Sequence, residues 1–183
     1  VTAESYGLSQ YALEMVVRVL VLELLPLTAA LYVAVRCTLP GGALLARLRR
    51  QGTLNTLRES GADPVLTEVV PRAVAGVFAT VTLAAVSCVI ALLMTYAVVH
   101  GPTLTALESF TRNVGKVFNP SVTLFFALKT GFFSLAVSLV PLVTGLYEPL
   151  PGRREVPTAL RALAPMFSLI LFFEIVSLMG NYY

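Results

Sequence analysis

The sequence predicts an all-α integral membrane protein of about four spans, and three observations carry that prediction. The chain is 57% hydrophobic and only 13% charged, with a mean hydropathy of +0.83 and no tryptophan, a balance too apolar for a soluble domain of 183 residues. Its apolar residues fall in runs of about twenty or more, the length at which an α-helix crosses a bilayer. Its arginines cluster between those runs, where positive residues beside membrane spans are retained on the cytoplasmic side.

Taken in order, residues 1–10 form a short mixed tail, and the first visible span runs from Tyr11 to Arg36. It holds Glu14, Arg18 and Glu23; Glu14 and Arg18 are four apart and share a helix face, whereas Glu23 points elsewhere. Pro26 removes a backbone donor one turn later.

The segment from Arg36 to Arg72 is the polar centre of the chain. Leu44, Leu45 and Leu48 make one apolar stripe and Leu54 and Leu57 another, separated by Gly52, so the spacing predicts two short amphipathic helices whose face rotates at the glycine. Gly61 suits a left-handed position after the second helix, and Asp63 suits the cap of a new one with Pro64 in its first turn. Pro71 predicts a kink as the next span begins. Such a segment fits either a linker lying on lipid headgroups or a docking element for a partner.

A second, uncharged span follows from about Val74 to Val99 and stops at His100-Gly101-Pro102, which reads His100 as an interfacial residue at a turn. Leu107, Phe110, Val114 and Val117 then repeat at helical spacing with Glu108, Arg112, Asn113 and Lys116 off the stripe, predicting an interfacial helix on the far side of the membrane. Pro120 opens a third span through Gly145, interrupted by Lys129. Thr158 to Met179 is the fourth, interrupted by Glu174.

Nine of the thirteen Lys and Arg residues fall in the two loops assigned to the cytoplasm, the Arg36–Arg72 segment and the stretch between the third and fourth spans with Arg153, Arg154 and Arg161, and only Arg112 and Lys116 in the external one, so both termini are expected outside. A chain that starts outside with Val1 is expected to follow at least one further span. The isoelectric point near 9.1 needs no nucleic-acid partner, because the basic residues flank spans and match lipid headgroups. Cys37 and Cys88 have no metal-ligand spacing and give no disulfide framework.

Within the spans, Lys129 and Glu174 each lie about nine residues from the external end of their helix, roughly 13 Å deep. A lone charge in the bilayer centre costs on the order of 3 kcal/mol, so the matched depths predict an intramembrane ion pair. Glu23 lies mid-span without a local partner, which predicts a carboxylate facing a polar cavity. No phosphate-binding loop, nucleophile elbow or metalloprotease motif occurs. The chain is therefore read as no enzyme, with no catalytic residue, metal or cofactor, and its energy source must lie elsewhere.

These residues resemble the MlaE/YrbE permeases, the membrane subunits of Mce-associated ABC transporters. The resemblance rests on Glu23-Leu24-Leu25-Pro26 with Ala29, Ala30, Ala34 and Arg36, on Asp63-Pro64, and on Pro71-Arg72 with Ala75 and Gly76. It continues through Leu128-Lys129-Thr130, Gly145, Arg161 and Glu174, and covers nearly the whole chain. Departures are Leu44 and Gly52 where the family usually has two glutamates, Leu25 for a glycine, and Leu22 for a basic residue.

The resemblance implies a polytopic helical ABC permease, with residues 1–183 a single transmembrane domain lacking the family's N-terminal interfacial helix and first span. It implies transport of phospholipid or a related lipid between membranes, a bacterial inner-membrane location, and three protein partners: a second permease copy, a cytoplasmic ABC ATPase and an Mce-domain lipid-binding protein. Tyr6 and Glu23 match family positions near the lipid cavity, about 25 Å apart along the helix, and Leu13, Val17 and Leu20 would line the path between them. Leu54, Leu57, Arg58, Glu59 and Asp63 would couple to the ATPase. Two other readings are an ion- or proton-coupled secondary transporter using Glu23, Lys129 and Glu174, and a non-transporting membrane scaffold.

Overall fold

The computed structural model describes residues 15, 17–101, 107–147 and 158–182. Among them there is no strand, and four helices are long and apolar enough to cross a membrane. The first spanning helix, α1, is Arg18–Arg50; a short helix α2 is Thr53–Glu59; the second span, α3, is Val65–Val99. A further short helix, α4, is Leu107–Val117; the third span, α5, is Pro120–Leu146; and the fourth, α6, is Thr158–Tyr182.

α1 differs from its expected form. A span ending at Arg36 and a separate amphipathic helix are in fact one helix of 33 residues, about 50 Å long and well in excess of a bilayer's hydrocarbon core of about 30 Å. Its last turns, carrying Arg47, Arg49 and Arg50, therefore extend past the apolar part. α3 likewise starts at Val65 rather than near Val74.

Three prolines explain both extensions. Wide π-helical stretches at Val17–Leu24, Ala34–Thr38 and Val65–Val69 each end two residues before a proline: Pro26, Pro40 and Pro71. A proline in a regular helix lacks its N–H and drives its ring into the carbonyl four residues back. In the wide turns the residue before the proline reaches back five residues, Leu39 N–H donating to Ala34 O and Val70 N–H to Val65 O, which opens the backbone where the ring must fit. The kink expected at Pro71 thus takes the form of a wide turn, and the helix runs on.

The connection from α1 to α2 follows the sequence closely. Gly52 (φ +80°) turns the chain between the two helices and Gly61 (φ +85°) ends the second, both in the left-handed region that glycine adopts without steric cost. The Asp63 side chain then accepts the Val65 N–H at 2.9 Å, capping α3.

α1 and α5 form the interior of the bundle: about half of each apolar window is buried (44% and 50%), against 17% for α3 and α6. The core has three tiers. Leu45, Val69 and Leu142 pack at the arginine-rich end. Ala30, Val33, Ala34, Phe133, Val137, Met166 and Ile170 fill the middle, and Val21, Leu22, Cys88 and Val117 the opposite end. Phe132 stacks on Phe173 with centroids 4.5 Å apart, fixing α5 against α6. α4 turns Phe110 and Val117 into the bundle, with Phe110 edge-on to Tyr96 of α3 at 5.1 Å, and holds Glu108 and Arg112 outside as an exposed pair.

The tightest approach is between α1 and α5. A Cβ on Gly42 would overlap the carbonyl of Pro141, and one on Gly145 would overlap the carbonyl of Gly42, so the two backbones touch. Gly76 brings α3 to the same place, where an added Cβ would lie 2.6 Å from Ser138 Oγ. Small residues at helix crossings are the usual route to close packing in lipid, where there is no hydrophobic drive between helices. Gly42→Val should lower stability by about 1–3 kcal/mol or prevent insertion. Gly131→Ala, at a glycine with open space around it, should leave the melting temperature in detergent unchanged.

Candidate functional site

Three spans bring one ionisable side chain each to a common point. Lys129 of α5 donates from Nζ to Glu23 Oε2 of α1, and the same Nζ lies 2.8 Å from Glu174 Oε2 of α6. The lysine side chain is only 3% exposed and sits over the Phe133 ring, 5.6 Å from its centroid. A space of about 10 Å³ beside it, bounded by Glu23, Lys129, Phe126 and Ser177, is on the order of one water.

Lys129 and Glu174 thus lie within ion-pair distance, and the lysine carries a second carboxylate as well. Glu23, expected to be unpaired, has Lys129 as its partner. The matching of depths that relates Lys129 to Glu174 applies equally to the mid-span Glu23. Which way Glu23 points is another matter: it lies in the wide stretch Val17–Leu24, where residues three apart no longer share a face as they do in an α-helix. Glu23 accordingly turns inward at 8% exposure while Leu20 turns outward at 37%.

That rotation divides the expected lipid-path residues. Tyr6 and Leu13 lie outside the described residues, as does the side chain of Val17. Leu20 begins an exposed stripe of α1 that continues at four-residue intervals through Leu24, Thr28, Tyr32 and Arg36. Thr28 spends its hydroxyl on the carbonyls of Leu24 and Leu25, so the stripe stays apolar until Tyr32. Glu23 belongs to the opposite, buried side of the helix with Pro26, Ala29, Ala30 and Val33.

The expected coupling residues also divide. Leu54 is buried against the bundle, Leu57 is half-buried, and Arg58, Glu59 and Asp63 are exposed. One residue that sequence reasoning missed anchors this region: Arg49 donates from its guanidinium to the carbonyl of Leu146, satisfying a free carbonyl at the end of α5. The two residues are 97 positions apart, and no local pattern signals the contact. Arg72, by contrast, pairs locally with Glu68 at 2.6 Å.

The triad's arithmetic sets its energetics. Taking away one partner of a buried ion pair strands the other at a cost of about 3–5 kcal/mol. Lys129→Met should therefore be strongly destabilising, and adding Glu174→Leu should restore only part of the loss, because Glu23 remains stranded. The triple variant with Glu23→Leu should recover most of it. Thermal unfolding in detergent reads the series; full recovery in the double variant would mean that Glu23 contributes nothing to the cluster.

A family model described as Permease MlaE matches residues 1–180 of the chain. A comparison with curated proteins gave no match.

Proposed function

Because the chain belongs to the MlaE permease family and is a multi-pass, ABC-type permease subunit, we propose that it moves phospholipid or a related lipid between membranes. Two copies would enclose the lipid path, a separate ABC ATPase would drive it from the cytoplasm, and an Mce-domain lipid-binding protein would stand on the other side. The bacterial inner membrane is the location this implies. The observation that carries the reading is the exposed stripe of α1: an interior helix, nearly half buried, nonetheless leaves a continuous line of side chains from Leu20 to Arg36 uncovered. Leu20 and Leu24 offer an apolar wall to acyl chains, and Tyr32 and Arg36 offer a hydroxyl and a guanidinium to a headgroup at the arginine-rich end. Of the lipid-path residues Tyr6, Leu13, Val17, Leu20 and Glu23, this assigns Leu20 to the wall and gives Glu23 a different part, that of holding α1 to α5.

A relay through Glu23, Lys129 and Glu174 is disfavoured by the same geometry. All three groups close on one another inside one chain, and the adjoining space is water-sized. Photo-crosslinkers at Leu20, Leu24 and Tyr32 should capture phospholipid in a yield that depends on ATP hydrolysis. A crosslinker at Phe78, on the outer surface of α3 at 72% exposure, should capture lipid in a yield that does not. Equal and ATP-independent yields at all four positions would remove α1 from the path.

Coupling to the ATPase is assigned to α2 and the turn that follows it, through the half-buried Leu57 and the exposed Arg58, Glu59 and Asp63. Leu44, 46% exposed where family members carry a glutamate, adds apolar surface on α1. Leu57→Glu should abolish co-purification of the ATPase while the permease still inserts. Wild-type stoichiometry in that variant would leave α2 as a surface helix lying on lipid.

A further inference from the structure

At the arginine-rich end of the bundle a cavity of about 360 Å³ opens between α1, α2, the start of α3 and the end of α5. Its walls are of two kinds. Arg49, Asn55, Arg58, Asp63 and Tyr147 give it a polar mouth, and Leu54 and Val65 an apolar floor. Its level follows from the elements that bound it: Leu146 ends the uncharged stretch of α5 that follows Lys129, whereas Val65 stands ahead of Glu68 and Arg72 on α3 and Arg49 lies past the apolar part of α1. The cavity therefore sits in the headgroup layer at the edge of the hydrocarbon.

We propose that this cavity binds a phospholipid headgroup from the adjoining leaflet, with the phosphate on the guanidinium groups of Arg58 and Arg49 and the first acyl carbons over Leu54 and Val65. The proposal does not depend on the lipid path assigned to α1, since the site lies off that exposed stripe, but it shares Arg58 and Asp63 with the coupling surface proposed above, so ATPase retention is measured beside phospholipid retention. The Arg58 guanidinium has no partner among the described residues, and Arg49 spends one N–H on the Leu146 carbonyl. A guanidinium carries five N–H donors in a planar fork that matches phosphate oxygens, so both retain donors for an anion.

The single carboxylate selects the kind of phosphate. Asp63 is fixed on the wall, its Oδ1 accepting the Val65 N–H. It offers an acceptor to a headgroup amine or hydroxyl and repels additional negative charge. A singly charged phosphodiester bearing such a group fits these walls, whereas a free phosphate dianion meets the carboxylate without using the apolar floor. An acidic side chain of a partner protein would also find the arginines, and would likewise leave Leu54 and Val65 unused.

The test is native mass spectrometry of the permease, in the complex with which it purifies, released from vesicles of phosphatidylethanolamine and phosphatidylglycerol. Arg58→Gln should retain one phospholipid fewer per chain, with occupancy at that site down about tenfold. Val65→Trp, which fills the cavity without altering charge, should do the same, and inorganic phosphate added to the wild type should displace nothing. Unchanged phospholipid retention in both variants would overturn the proposal. So would displacement by inorganic phosphate, which would make this a general anion site. Loss of the ATPase from Arg58→Gln with phospholipid retention unchanged would also overturn it, and would assign the cavity to a protein carboxylate.

Discussion

A charged side chain inside hydrocarbon has to bring its counter-charge with it, and in this bundle that requirement falls on Lys129. The ammonium sits in α5 and is met from two sides, by Glu23 of α1 and Glu174 of α6. Three helices must therefore agree in depth and in rotation at one point, because a shift of one turn in any of them would strand a charge in the bilayer. The remaining middle tier has no directional chemistry: Ala30, Val33, Phe133, Val137, Met166 and Ile170 are all apolar. The ionic contact adds a directional one.

A second constraint acts at the arginine-rich end, where α1 and α5 meet backbone to backbone at Gly42, Pro141 and Gly145. The contact is steric, so it tolerates no side chain, and Arg49 adds a polar tie by capping α5 at Leu146. Between the charge cluster and the glycine crossing, α1 is held to α5 at two well-separated heights. The extension of α1 past the apolar region is thereby a supported structure, and α2 hangs from its end by the turn at Gly52. A force applied to α2 would pass into α1 and then to both contacts with α5.

The wide turns reconcile this long helix with its prolines. Pro26 and Pro40 could each have ended α1, and Pro71 could have delayed α3; the extra residue per turn lets the chain continue instead. The same feature decides which side of α1 is uncovered. With Glu23 rotated inward by the wide stretch, the residues left outside include Leu20, Leu24, Thr28, Tyr32 and Arg36. Proline placement, ion-pair formation and the exposed stripe are in this sense one arrangement.

The fold class was determined by the sequence alone, because long apolar runs admit only spanning helices in a bilayer and the runs can be counted. The turns at Gly52 and Gly61 and the cap at Asp63 were equally legible, since each depends on a residue's own conformational range or on a hydrogen bond two residues away. Lys129 and Glu174 could be related by depth, which is a property of position along each helix. What only the tertiary structure decided was rotation and reach: that Glu23 joins the pair, that Leu20 and Glu23 part company, that α1 continues to Arg50, and that Arg49 closes the end of α5. These depend on whether a proline stops a helix or widens it, and on contacts between residues as far apart as 106 positions. Helical periodicity assumes regular turns and says nothing of either.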